Sequence, residues 1–467
     1  MVKQTRLVGA MRSVAAVTAA TAAAVVFPGA LPAHAASVGC STGALITAIN
    51  NANSGINPIL DLEPYCVYVV SSVSSGEDGL PPITDFVTIN GNHATIQRSG
   101  TTASFRLLDV TVDGDSSGFL SVNNLTVMGG SLTTGGRGGG ILVQAGGKLD
   151  ATANLTIQGN STTSHGGGLA VDSGATATLT GSLVNDNRAT NGNDGGGIRS
   201  RGTLTLAGTV VSGNRATGFG GGVSSGGTLN ITTSTIRNNT LGGTPAGQDG
   251  GGLEVSNTTV VQDSVIRDNS VINGGGGGVY VNSGADFTAQ GTTISENTTS
   301  TTNTTVSPAD GAGILADGLS SVTLDSSHVT GNRIISANGH GAGVLVFASS
   351  LTTQNTTTIT GNIASGKYSQ GGGIWAMGGT ANVSLSGTSI TGNKVTGTGS
   401  FAAGIYNNGG TVSLTGSSVS NNTAPVAPAP GGIWTNVAIT SVPGSTITGN
   451  IPTNCLFSPA PVTNCSG

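Results

Sequence analysis

GGGIRSRGTLTLAGTVVSGN, residues 195–214, contains the whole plan of this chain. Three glycines precede Ile198, which begins an alternation of apolar and polar residues through Ser200. Leu204 and Leu206 alternate in the same way, and Val210 or Val211 leads to Asn214. Period-2 alternation punctuated by Gly and Asn is the mark of short strands joined by tight turns. The unit recurs. Its last glycine returns as Gly140, Gly168, Gly197, Gly222, Gly252, Gly278, Gly313, Gly343, Gly373, Gly404 and Gly432, each followed by Ile, Leu or Val. An Ile/Val-x-x-Asn motif keeps step with it, ending at Asn160, Asn187, Asn214, Asn239, Asn269, Asn297, Asn332, Asn362, Asn393, Asn422 and Asn450. One such unit cannot bury its apolar side alone, so the period predicts units stacked into a solenoid.

Three strands per coil, with like strands stacked about 4.8 Å apart, make parallel sheets. Strand crossovers favour a right-handed coil. The expected fold is therefore all-β, a right-handed single-stranded parallel β-helix. With 79 glycines and 8% charged residues in 467, helix is nearly excluded over the repeats. The regularly placed aliphatic residues argue against disorder. The one helix expected is a short N-terminal cap, residues 41–53, where Ala44, Leu45, Ala48, Ile49 and Ala52 fall at helical spacing behind Ser41 or Thr42 as N-cap.

Residues 1–35 read as an export signal, with Lys3, Arg6 and Arg12 before the apolar stretch from Val14 to Phe27 and a cleavage site at Ala33-His34-Ala35. Residues 36–79 form the cap, 80–450 the β-helix with regular repeats over 138–450, and 451–467 a C-terminal tail. Without the signal the chain keeps 13 of its 16 basic residues against 21 acidic ones, a net charge of -8. That balance excludes a nucleic-acid partner, which needs a basic face. No later segment is apolar for long enough to span a bilayer as a helix. Four cysteines in an exported chain imply two disulfides, and placement favours Cys40 with Cys66 and Cys455 with Cys465, each closing a local loop at one end of the solenoid.

The paired Gly-Gly-aliphatic and Ile/Val-x-x-Asn motifs over 138–450 resemble the repeats of polymorphic outer membrane proteins and, more widely, the right-handed β-helix (pectate-lyase-like) superfamily. Cys40-Ser41, followed by Ala44, Ala48, Ile49, Ala52 and Asn53, resembles the cap of secreted bacterial β-helix proteins of the CSLREA type, with Thr42-Gly43 in place of that motif's Leu-Arg-Glu. The resemblance implies a secreted bacterial protein. It also implies a C-terminal autotransporter barrel, which the sequence does not carry, so free secretion is the expectation.

In a stacked coil each repeat position becomes a column. The asparagines are expected to form a structural ladder of bonded amides. The position two after each final glycine must point away from the core, because the aliphatic residue before it points in. Down the array it reads Leu142, Ala170, Arg199, Ser224, Glu254, then Tyr280, Leu315, Leu345, Trp375, Tyr406 and Trp434. Both tryptophans and two of five tyrosines fall on this line. It is expected either to be an exposed binding stripe about 24 Å long or to lie beneath the insertion between Val279 and Asn297 or a loop such as 298–310. A second column, three before the final glycine, brings Arg137, His165 and Asp194 onto successive turns. These residues are candidates for acid–base chemistry or, more simply, for satisfying turn backbone. A third array, the outward Thr205, Thr288, Thr323, Thr352, Ser384 and Ser413, has the chemistry to order water, though in an uneven register.

No Asp or Glu follows Asp325, so the last 142 residues, which hold most of the aromatic line, cannot supply the paired carboxylates of glycoside hydrolysis. Asp249, Glu254, Asp263, Asp268 and Glu296 follow no calcium-ligand spacing, and neither a metal nor a cofactor is assigned. The sequence favours a secreted, non-catalytic, adhesin-like protein binding a cell surface, glycan or protein partner through the aromatic line. The alternative is a polysaccharide lyase or hydrolase.

Overall fold

A computed structural model describes residues 35–467 apart from 101–102, 115, 243–246, 303–309, 426–429 and 441. The first 34 residues, which hold nearly all of the expected export signal, lie outside the described part. Over the described residues the chain is a parallel β-solenoid with one helix, Thr42–Asn53. Ser41 is its N-cap, accepting a hydrogen bond from the Ala44 amide at 3.2 Å, and Leu45, Ile49 and Ala52 are buried beneath it. Among the described residues no helix is long and apolar enough to cross a membrane.

Each regular coil has four short strands where the sequence suggested three. In the unit quoted above they are Ile198–Ser200, Thr203–Ala207, Val210–Ser212 and Arg215–Ala216. The fourth follows the ladder asparagine, where the chain turns and the Arg215 amide bonds the Asn187 carbonyl of the preceding coil at 2.9 Å. At two or three residues it is too short to show as an alternation. The second and third strands share one 26-stranded sheet, the first strands stack into a 12-stranded sheet and the fourth into a 10-stranded one. Ile198, Leu204, Leu206 and Val211 are fully buried, and their counterparts continue through one apolar core from the cap to the C-terminal tail. Burying each such side chain stabilises the coil by roughly 1.5–3 kcal/mol.

The asparagine ladder forms as expected. Asn332 is representative: its Nδ2 donates to the Ile294 carbonyl (2.9 Å) and to Asn362 Oδ1 (3.0 Å), while its Oδ1 accepts from the Asn297 amide (3.0 Å) and Asn297 Nδ2 (2.9 Å). The ladder starts one coil early, at the Gly130 amide, which donates to Asn160 Oδ1, and ends on Asn454 Oδ1. The residue before every ladder asparagine has φ between +55° and +66°. Gly, Asn and Asp tolerate that conformation, and they fill the position everywhere but at Glu296.

The disulfides join Cys40 to Cys66 and Cys455 to Cys465, with Cα separations of 5.7 and 6.2 Å. The outward hydroxyl column is more regular than its sequence spacing suggested. Thr288, Thr323, Thr352, Ser384 and Ser413 pair directly from strand to strand, because the differing unit lengths are absorbed in the loops.

Candidate ligand groove

The outward face of the 12-stranded sheet carries the aromatic line, and its register is continuous. Glu254 pairs with Tyr280, Tyr280 with Leu315, Leu315 with Leu345, Leu345 with Trp375, Trp375 with Tyr406 and Tyr406 with Trp434. Of the two arrangements expected, the exposed flat stripe is not what forms. Trp375 and Tyr406 are each 7% exposed, Tyr280 and Leu345 are buried, and only Leu315 and Trp434 are half-buried. Large side chains one strand apart shield one another by stacking. The Tyr406 and Trp434 rings lie 4.6 Å apart at 6°, and Trp375 and Tyr406 lie 6.0 Å apart at 9°. Of the loop expected to cover them, residues 303–309 lie outside the described part.

These rings form a cluster separate from the core, the floor of a groove of about 480 Å³. One wall is the column three before the final glycine, where Asp310, His340, Gln370 and Phe401 are joined by parallel bridges. The other is the column four after it, Asp317, Phe347, Met377 and Asn408. Phe401 meets Tyr406 and Trp434 at 5.6 and 5.7 Å, and Trp375 Nε1 donates to Gln370 Oε1 at 3.4 Å. The rings are thus held rigidly, covering one another's faces and meeting the groove by their edges, with polar atoms along both walls.

Sequence spacing missed a dyad in this groove. The His340 ring lies against Trp375, 4.8 Å away and tilted by 32°, and its Nδ1 lies 2.9 Å from Asp310 Oδ1, which also accepts the His340 amide at 3.0 Å. As a carboxylate, Asp310 accepts a hydrogen bond from Nδ1–H, which leaves Nε2 as the ring's accepting nitrogen. Burial pushes the Asp310 carboxyl above the ordinary range, opposed by its bonds to His340. Burial also raises the Tyr406 hydroxyl, opposed by a bond to Asn408. Asp310 and His340 stand on consecutive turns of the column that carries Arg137, His165 and Asp194, and that adjacency is the signal in the sequence.

The catalytic candidates fare differently. His165 Nδ1 lies 3.3 Å from Asp194 Oδ2 and 3.1 Å from the Asp194 amide, whereas Arg137 turns away to Asp172 at 2.6 Å. Burial pushes Asp194 up, but the bonds from His165 and the Phe219 amide, with the charges of His165 and Arg199, outweigh it and hold the carboxyl low. The space beside them is only about 10 Å³, room for one water molecule and not a sugar. The middle-turn carboxylates also separate. Glu254 is buried in the trough and accepts from Ser224 and Ser256, while Asp263, Asp268 and Glu296 occupy left-handed turn positions. Among the described residues no three His, Cys, Asp or Glu are grouped to hold a metal.

No family model matches this chain, and no curated protein does. Among solved structures, the chain is similar to the A-module of the Azotobacter vinelandii mannuronan C-5 epimerase AlgE6 at 15% identity and a TM-score of 0.40, covering 91% of this chain and 96% of that one. It is also similar to PfbA, a surface adhesin of Streptococcus pneumoniae, at 9% identity and a TM-score of 0.24, covering 83% and 90%. Likenesses at this level say nothing of the groove's chemistry.

Proposed function

We propose that this is an exported, non-catalytic, adhesin-like β-helix protein whose groove between Asp310 and Asn408 binds a glycan chain, with Leu345, Trp375 and Tyr406 as the platform. In this reading residues 1–35 direct export, 36–79 cap the solenoid, 80–450 form the binding array with polymorphic outer membrane protein-type repeats, and 451–467 seal its end. Two disulfides suit an oxidising, extracellular location. The observation that carries the proposal is the stacked aromatic floor bordered by the Gln370 and Asn408 side chains within one cavity. The test is retention of the mature protein on insoluble polysaccharides, against Trp375→Ala and Tyr406→Ala. Each ring lies outside the main core, so each variant should fold and lose about 10-fold in affinity, the scale of one lost apolar contact of about 1.4 kcal/mol. Unchanged retention of both would remove the groove as the binding face.

The Asp310–His340 dyad favours a second reading, a polysaccharide-active enzyme in which His340 Nε2 accepts a proton from bound sugar or water. Product release from a pectin, alginate and xylan panel, lost in His340→Gln while glycan retention persists, would establish it. Absence of product from every polymer would remove it.

A further inference from the structure

Charge is distributed unevenly along the aromatic groove. At its N-terminal end each wall carries a carboxylate, Asp310 three residues before the final glycine of their coil and Asp317 four after it. Beyond His340 both walls are uncharged, with Gln370 and Phe401 on one and Phe347, Met377 and Asn408 on the other.

The two carboxylates differ in what they meet. Asp310 lies 2.9 Å from His340 Nδ1. Asp317 is half-buried and open to the groove, and among the described residues neither a cation nor a hydrogen-bond donor meets its side chain. Even a protonated His340 would balance Asp310 alone and leave Asp317 uncompensated.

No other cation lines the groove. Histidines aside, the basic residues after Arg267 are Arg333 and Lys394, which open short strands of the 10-stranded sheet, and Lys367, whose Nζ lies over the Tyr368 ring at 5.0 Å. Residues 303–309, outside the described part, include neither lysine nor arginine. The resulting negative field reaches the neighbouring groups. Burial pushes Asp249 up to about 6, opposed by a bond from the Gly275 amide and reinforced by the charges of Asp310 and Asp317. Burial raises the Tyr280 hydroxyl as well, reinforced by the charges of Asp249, Asp317 and Glu254.

We propose that the groove selects uncharged glycans and rejects polyuronates, with Asp317 as the residue that sets this choice. The inference rests on the glycan-binding reading above and narrows it. A polyuronate carries a carboxylate on every ring, so in any register one of them falls at the Asp310–Asp317 end. There it meets like charge in a partly desolvated trough, where repulsion is poorly screened. An uncharged chain brings hydroxyls to the same place, and each donates a charge-assisted hydrogen bond to Asp317. The Gln370 and Asn408 amides farther along discriminate little, since an amide both donates and accepts and carries no charge.

The experiment is retention of the mature protein at low salt on cellulose, unsubstituted xylan, mannan and fully methyl-esterified pectin, all uncharged, against pectate and alginate. Esterified pectin and pectate share a backbone and differ in charge. The parent should bind at least one uncharged polymer at least 10-fold more tightly than either polyuronate. Asp317→Asn should shift the ratio of polyuronate to uncharged binding at least 10-fold towards the polyuronate. In about 1 M salt, where charges are screened beyond about 3 Å, parent and variant should converge. Asp150→Asn removes the same charge from a strand of the 26-stranded sheet, outside the groove, and should leave the ratio at the parent's value. Melting temperatures establish that both variants fold. Equal or tighter binding of pectate or alginate by the parent, or the same ratio in Asp317→Asn as in Asp150→Asn, would overturn the inference and leave the glycan groove standing. Retention on none of the polymers would instead remove the glycan reading, and this inference with it.

Discussion

Replacing Asn332 by Leu tests whether the amide ladder holds the coils together. The substitution roughly conserves volume but removes four hydrogen bonds: two donated by Nδ2, to the Ile294 carbonyl and Asn362 Oδ1, and two accepted by Oδ1 from Asn297. The Asn297 amide loses its acceptor, and Asn297 Nδ2 keeps only its bond to the Ile266 carbonyl. The two buried donors left short cost about 2–6 kcal/mol together, and the added apolar burial returns about 2 kcal/mol, so the net loss should be up to about 4 kcal/mol. Because solenoid stability is a sum of coil and neighbour-interface contributions, that loss falls on one interface in the middle of the array. Trp375 and Trp434 lie beyond it and report the C-terminal coils alone. Guanidinium unfolding followed by tryptophan fluorescence should shift to lower denaturant, and the far-ultraviolet circular dichroism curve should separate from it as the two halves uncouple. An unchanged midpoint with coincident curves would refute the ladder as a structural element.

Glu296→Gly should stabilise the protein by about 1 kcal/mol, seen as a higher melting temperature, because Glu296 alone among the eleven residues preceding the ladder is not Gly, Asn or Asp at positive φ. Gly373→Ala should be severely destabilising, since the added Cβ would stand 2.7 Å from the Gly404 carbonyl oxygen; Gly361→Ala meets nothing within 4 Å and suffers only from its φ of +64°, about 1–2 kcal/mol in the same assay. Asp249, raised to about 6 chiefly by burial, holds its proton more tightly folded than unfolded. Its contribution to stability is therefore greatest below about pH 4 and is lost as pH rises through about 6, roughly 2–3 kcal/mol in all. Asp249→Asn should flatten that part of the stability–pH curve, and an unaltered curve would contradict the assignment. Reducing both disulfides should cost about 3 kcal/mol each by loop entropy and lower the first unfolding transition, measurable by calorimetry with and without reductant.

The coil was legible in the residues because a solenoid writes its contacts at a fixed period. Ile198, Leu204, Leu206 and Val211 announce the core, and Asn214 the turn, without reference to anything distant in the chain. The cap helix and both disulfides were legible for the same reason, since each depends on residues close in sequence. The fourth strand was not, because two residues such as Arg215–Ala216 make no pattern and become a strand only through the preceding coil's carbonyl.

The candidate site was half legible. The sequence alone determined which residues share a column and that the column containing Trp375 and Tyr406 points out of the core, since side-chain alternation is a local property of the strand. Only the tertiary structure decided that this column is the floor of a groove. Exposure depends on the Gln370 and Asn408 columns standing on either side and on rings stacking across coils some 30 residues apart. The same is true of the charges: which carboxylate meets His340, which one Arg137 turns to, and which stays unpaired, as that of Asp317 does, depend on side-chain directions at the ends of loops of unequal length. A repeat period does not encode those directions.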